Sequence, residues 1–190
     1  MVNTFVFMGR PGAGKGVQSA LLSQKIGLPV FSTGDKVCAV SKADHALGKK
    51  IRSVQEAGGL TPHWFAAFLF QEALFNEGSK GMIFEGMGRK LPEAELFHEV
   101  HEWLGNDYRI LYLEASPETV TERLVKRGKE QSRADDVPER IMVRLENFEK
   151  ETRASLDYFR SLGKVIDIDG EPSPEEVNAA ILKEIGYAPL

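Results

Sequence analysis

The sequence predicts an α/β fold in which a five-stranded parallel sheet lies between layers of helix. Three observations predict it. Five short apolar runs recur along the chain, each of the length and character of a buried strand. Helix-length stretches separate them, and strands joined through helices pair in parallel. The first run feeds a glycine-rich turn that opens directly into a helical stretch.

Taken in order, the first strand is Thr4–Met8, carried by Phe5-Val6-Phe7-Met8, and the first helix is Gly14–Ile26. Pro29–Phe31 is the second strand. The stretch from Ser32 to Lys80 is long and mostly helical, including Pro62–Asn76, and has room for a small inserted lobe beside the sheet. Met82–Phe84 is the third strand, Leu91–Leu104 a helix, Arg109–Leu113 the fourth strand and Pro117–Arg127 a helix. A polar turn, Gly128–Asp136, leads to a long helix at Pro138–Leu162, the fifth strand at Lys164–Ile168 and a last helix at Pro174–Ile185. Prolines open several of these helices, where no intrahelical amide is lost.

At 190 residues the chain makes one globular unit with a sizeable core. A formal net charge of −4 argues against a general nucleic-acid binder. The single cysteine, Cys38, leaves no intrachain disulfide and no multi-cysteine zinc site, and suits a reducing compartment. No apolar run reaches membrane-spanning length and no charged leader precedes Gly9, so the expectation is a cytoplasmic protein without a membrane partner.

Residues 9–18 read Gly-Arg-Pro-Gly-Ala-Gly-Lys-Gly-Val-Gln. Gly9, Gly12 and Gly14 permit backbone angles that let consecutive amides converge on phosphate oxygens. Lys15 adds a mobile positive charge, and the helix that follows aims its positive end at the same place. Gly9 to Lys15 satisfy the general P-loop pattern, but Gly16 stands where that pattern asks for Ser or Thr. The loop therefore offers magnesium no side-chain ligand, and the ion must be held by phosphates, water and another residue. Further along, Arg123, Lys126, Arg127, Lys129, Arg133, Arg140 and Arg144 surround Asp135-Asp136. Such a run is most often a solvated face. Here the arginines flank a short turn that could fold over a triphosphate, and a guanidinium fork suits phosphate oxygens.

Together these pieces resemble the nucleoside monophosphate kinases, most closely adenylate kinase with a short lid. The likeness lies in the loop Gly9–Gln18, in Ser32-Thr33-Gly34-Asp35, in Leu47-Gly48 and Gly59-Leu60, in Glu85-Gly86-Met87-Gly88-Arg89, and in Arg123, Arg127, Arg133-Ala134-Asp135-Asp136 and Arg144. It implies a P-loop NTPase fold of three α/β/α layers. The core would be 1–31, 62–127 and 138–190, the monophosphate-binding lobe 32–61 and the lid 128–137. It implies transfer of the terminal phosphoryl group of ATP, with Mg²⁺, to a nucleoside monophosphate, and a monomeric state. By the same resemblance Gly12, Ala13, Gly14, Lys15, Gly16, Val17, Arg123 and Arg127 bind ATP. Thr33, Gly34, Cys38, Gly86, Arg89 and Glu93 form the acceptor site. Lys15, Arg89, Arg127, Arg133 and Arg144 gather at the transferring group, and Glu85 organises the magnesium through water.

Most departures from the family pattern fall on the acceptor side. Cys38 stands where the family has an arginine on the acceptor phosphate, and Gly88 where a proline stiffens the loop before Arg89. Glu85 replaces an aspartate, Val17 a threonine, and His63-Trp64 an acidic position. Glu93 occupies the place of a glutamine that reads the adenine edge. A carboxylate only accepts, which suits the two adjacent donors of guanine; the alternative is a solvated acidic face with Glu95 and Glu99. His98 and His101 read as an exposed helix face rather than a metal site. AMP is the expected acceptor, with GMP open. The second expectation is a nucleotide-binding protein with weak or no kinase activity, whose lid serves regulation or partner binding.

Overall fold

The computed structural model describes residues 2–77, 81–131 and 136–187. Its centre is a five-stranded sheet of order β2-β3-β1-β4-β5, formed by β1 (Thr4–Gly9), β2 (Val30–Ser32), β3 (Met82–Glu85), β4 (Tyr108–Glu114) and β5 (Val165–Asp169). All four pairings are parallel. Every strand lies on an expected run, with no end moved by more than one residue. β1 is buried along its whole length. Its Val6 and Met8 enter one core and its Phe5 and Phe7 the other, so a continuous apolar run, rather than an alternating one, serves a sheet covered on both faces.

Helix α1 (Lys15–Ile26) joins β1 to β2. Helices α2 (Thr33–Ser41), α3 (Ala46–Glu56) and α4 (His63–Glu77) lie between β2 and β3. Helix α5 (Leu91–Leu104) crosses from β3 to β4, and α6 (Pro117–Gln131), α7 (Pro138–Asn147) and α8 (Arg153–Ser161) lead to β5 before α9 (Pro174–Glu184). The path from β1 to β2 moves toward one edge of the sheet and the path from β3 to β4 toward the other. With a common right hand, these crossovers place α1 and α5 on opposite faces. Leu22 of α1 packs with Val177 and Ile181 of α9. On the other face Phe70 of α4, Phe97 of α5 and Phe159 of α8 meet over Phe84. The reversal of direction at β1 opens a crevice beyond the carboxyl ends of the strands.

Two helices differ from expectation. α6 continues past Arg127 to Gln131, into the stretch expected to be a turn. Lys129, Glu130 and Gln131 are good helix formers, and Gly128 sits so close to Asp136 that a Cβ there would lie 2.8 Å from its carbonyl oxygen. The long helix expected at 138–162 is two helices joined by a π-helical turn at Phe148–Thr152, a break that apolar periodicity does not reveal.

The expected exposed pair His98 and His101 is also corrected. His101 is 1 % exposed, stacked on Phe97 at 4.1 Å between centroids and edged by Tyr108. Its Nδ1–H donates to the Phe97 carbonyl, while Nε2 is buried without a partner among the described residues. Burial holds this imidazole below its ordinary pKa of 6.5, so it is neutral when folded and takes up a proton more readily when unfolded. Its contribution to stability is therefore lost as pH falls below about 6.5. Glu93, whose pKa burial pushes up, changes stability in the opposite sense, so the two must be separated. The stability advantage of the wild type over His101→Phe should shrink between about pH 7 and about pH 5.5 in urea titrations. A difference independent of pH would contradict the assignment.

Candidate active site

The crevice is a cleft of about 1210 Å³ lined from the ends of β1, β2 and β3 and from α2, α3, α6 and α7. Its floor is the turn after β1. Gly12 and Gly14 take φ 87° and 96°, a left-handed region that favours glycine, and Gly14 caps α1. The turn closes through Ala13 N–H to the Arg10 carbonyl. Lys15 folds back over it, donating from Nζ to the carbonyls of Gly9 at 2.9 Å and Arg10 at 2.8 Å. Burial, assisted by the Arg89 charge, lowers its pKa to about 7. An anionic ligand in the loop would restore the lost charge, so the site favours phosphate by relieving strain among cations.

Glu85 ends β3 beside the loop, and a Cβ built on Gly16 would meet its Oε2 at 3.4 Å. The missing hydroxyl at Gly16 is thus faced by a carboxylate that reaches the same spot. No cluster of three His, Cys, Asp or Glu exists among the described residues, so a divalent ion fits here only together with phosphate oxygens.

On the opposite wall Asp136, its side chain fully buried, gathers two arginines. Arg127 donates from Nε at 2.6 Å and Nη2 at 2.8 Å, and Arg144 from Nη1 at 2.9 Å. These interactions hold the Asp136 carboxyl below the usual carboxylate range despite its burial. Sequence reasoning placed Asp136 in a motif but not in the site; the Asp-Asp pair closing a turn rich in arginine was the available signal. Arg140, already part of the charged run, also lines the cleft, as do Arg52 and Lys42, which were not singled out. Arg123 donates to the carbonyls of Gly170 and Glu171, fixing the loop between β5 and α9 at the outer end. Arg133 lies outside the described residues.

Arg89 is held from both sides. Its backbone N–H donates to Glu93 Oε2 at 2.9 Å, and its guanidinium lies where a Cβ on Gly86 would come within 2.6 Å of Nη2. Gly86 itself has φ 77°. Gly86→Ala should therefore cost more than about 1 kcal/mol in urea unfolding and displace Arg89 from the cleft. An unchanged midpoint would show that the turn relaxes without loss.

A family model for adenylate kinase matches residues 7–164. The chain belongs to the adenylate kinase family. It is 35 % identical over 178 residues to an adenylate kinase of Cyanothece sp., covering 93 % of this chain and 91 % of that protein. It is 34 % identical to human adenylate kinase isoenzyme 1, with 90 % of this chain and 87 % of that one aligned. A Parabacteroides distasonis adenylate kinase is 34 % identical, with 97 % and 98 % aligned.

Against the family pattern, Gly88 takes φ 70°, which a proline ring forbids, and a Cβ built on it would lie 3.2 Å from the Phe159 ring. The turn before Arg89 follows its own path here, and the Glu93 contact supplies the fixing expected to be lost. Val17 is 51 % exposed at the cleft, and Cys38 lines it from α2 beside Thr33 and Gly34. Glu93 is 3 % exposed on the cleft wall, which excludes the solvated acidic face. His63 is exposed at the start of α4. No helix among the described residues is long and apolar enough to cross a membrane.

Proposed function

We propose that this protein transfers the terminal phosphoryl group of ATP to a nucleoside monophosphate, with AMP as the acceptor and ADP as both products. The observation that carries this reading is the convergence of Lys15, Arg89, Arg127 and Arg144 on one cleft of about 1210 Å³ from three helices and the turn between β3 and α5. An acceptor phosphate oxygen attacks the γ-phosphorus, the bond from that phosphorus to the β-bridging oxygen breaks, and ADP leaves. Such a transfer needs alignment and charge neutralisation more than covalent help.

The loop amides of Gly12, Ala13, Gly14, Gly16 and Val17, with Lys15, hold the donor phosphates, and Arg123 borders its base. Arg89 grips the acceptor phosphate, near Thr33, Gly34, Cys38 and Gly86. Arg127 and Arg144 neutralise the moving charge, with Arg133 joining from the lid. In this reading 32–61 is the monophosphate-binding lobe and 128–137 the lid. Glu85, placed against Gly16, would hold the waters of a Mg²⁺ ion bound with ATP, which would supply charge screening for the phosphates. Steady-state transfer from ATP·Mg²⁺ to AMP, GMP, UMP, CMP, dTMP or no acceptor tests the reading. Turnover with AMP supports it. ATP binding without transfer to any acceptor would replace it with a nucleotide-binding role.

A further inference from the structure

Residue 10 occupies one of the positions that the general phosphate-loop pattern leaves open, so nothing in that pattern demands an arginine there. Its backbone carbonyl receives the Lys15 ammonium at 2.8 Å and the Ala13 N–H at 3.1 Å. Its side chain turns elsewhere. Pro11 and Gly12 line the nucleotide cleft, whereas Arg10 lines a separate pocket of about 390 Å³ with Glu114, Ser116 and Glu171. Nη1 donates to the Ala115 carbonyl at 2.9 Å and Nη2 to Glu149 Oε1 at 2.8 Å. The guanidinium carbon lies 5.4 Å from the centre of the Phe148 ring. Only 15 % of the side chain is exposed, and a planar fork with two acceptors and an aromatic face against it is held in one orientation.

Phe148 and Glu149 open the π-helical turn that directly follows α7, the helix carrying Arg144. Asn147, the last residue of α7, donates from Nδ2 to the Gly58 carbonyl at 3.0 Å, just beyond the end of α3. The short stretch 147–149 thus meets the phosphate loop through Arg10 and the far wall of the cleft through Gly58, with Arg144 about one turn upstream.

We propose that Arg10 is a positioning residue for phosphoryl transfer: its guanidinium braces the phosphate loop against the π-helical turn and so fixes Lys15 relative to Arg144. The inference rests on the phosphoryl-transfer reading above. In this role Arg10 touches no phosphate; it acts through the loop whose carbonyl holds the Lys15 ammonium. When a nucleotide draws that ammonium away, the brace keeps the loop amides and Arg144 in register across the reacting phosphate. In-line transfer depends on such register, since a misplacement of about 1 Å arising far from the chemistry can cost about 100-fold in rate.

The test is transfer from ATP·Mg²⁺ to AMP by the wild type, Arg10→Gln, Glu149→Gln and the double variant, with calorimetric ATP affinity and urea unfolding measured alongside. Arg10→Gln should lower kcat by about 10–100-fold while the ATP dissociation constant moves by less than about threefold, because the phosphate donors are retained but misaligned. Glu149→Gln should lower kcat as well, and the double variant should lose little more than Arg10→Gln alone, as a single broken brace predicts. Arg153→Gln, which removes the other guanidinium bonded to Glu149, should leave kcat unchanged. A role in stability alone would lower the urea midpoint and leave kcat of the folded fraction at the wild-type value, and that result overturns the proposal. Additive losses in the double variant overturn it equally. Absence of transfer by the wild type would remove the phosphoryl-transfer reading and the brace with it, whereas wild-type turnover in Arg10→Gln would remove the brace alone.

Discussion

Lys15→Met should lower phosphoryl transfer by at least 10²–10³-fold, the scale set by removing one donor aimed at developing charge. The expected fold is unchanged, because among the described residues the Lys15 ammonium donates to carbonyls of its own loop. The loss should appear in kcat as well as in ATP affinity, since the ammonium faces charge that shifts toward the leaving oxygen during transfer. The variant should also bind ATP with less dependence on pH. Wild-type Lys15, lowered to about 7, must take up a proton to become cationic above that pH, so ATP binding there should be accompanied by proton uptake. Calorimetry in buffers of different ionisation enthalpy reads that proton directly. Equal proton uptake by wild type and variant would remove Lys15 from the phosphate site.

Asp136→Asn should have the second largest effect, and through a different route. Asp136 touches no substrate in the proposed mechanism; it holds Arg127 by two bonds and Arg144 by one. Asparagine keeps the shape but loses the charge and turns one acceptor into a donor facing a guanidinium. Removing one member of a buried ion cluster typically costs about 3–5 kcal/mol, and the lower end applies because both guanidiniums keep some surface in water. Transfer should fall by about 10²–10³-fold even at temperatures where the variant is folded, since two arginines lose their common anchor. A purely structural role would lower the unfolding midpoint and leave kcat of the folded fraction intact. That split between stability and kcat is the deciding measurement.

The sheet and its helices were readable because each strand is a compact apolar run and the signal is repeated five times. The phosphate loop was readable because its glycines and Lys15 carry their conformation and charge in their identity. Asp136 was less so: its role depends on the helix carrying Arg127 running four residues longer than expected and on Gly128 letting the chain return beside it. His101 looked exposed because its helix carries many charges, yet stacking on Phe97 and the edge contact with Tyr108 outweigh one ring nitrogen without a partner among the described residues. Glu93 could not be assigned to a wall or a surface from spacing alone, because burial of its helix face depends on α4 and α8, which pack from distant parts of the chain. Gly88 carried an expectation of looseness borrowed from proline, whereas its left-handed φ belongs to a different turn.

The π-helical turn at Phe148–Thr152 acts as a phase adjuster. One residue more than an α-helix needs is accommodated there, so everything before it is rotated by about 100° relative to everything after it. Upstream, this lets α7 turn Arg144 and Asn147 toward the cleft. Downstream, it lets α8 turn Leu156 and Phe159 into the core. The same length of chain thus satisfies two faces whose spacings an unbroken helix could not match. Removing a single residue within 148–152 would force a choice between them: keep Arg144 on the cleft or keep the aromatic ring under the sheet.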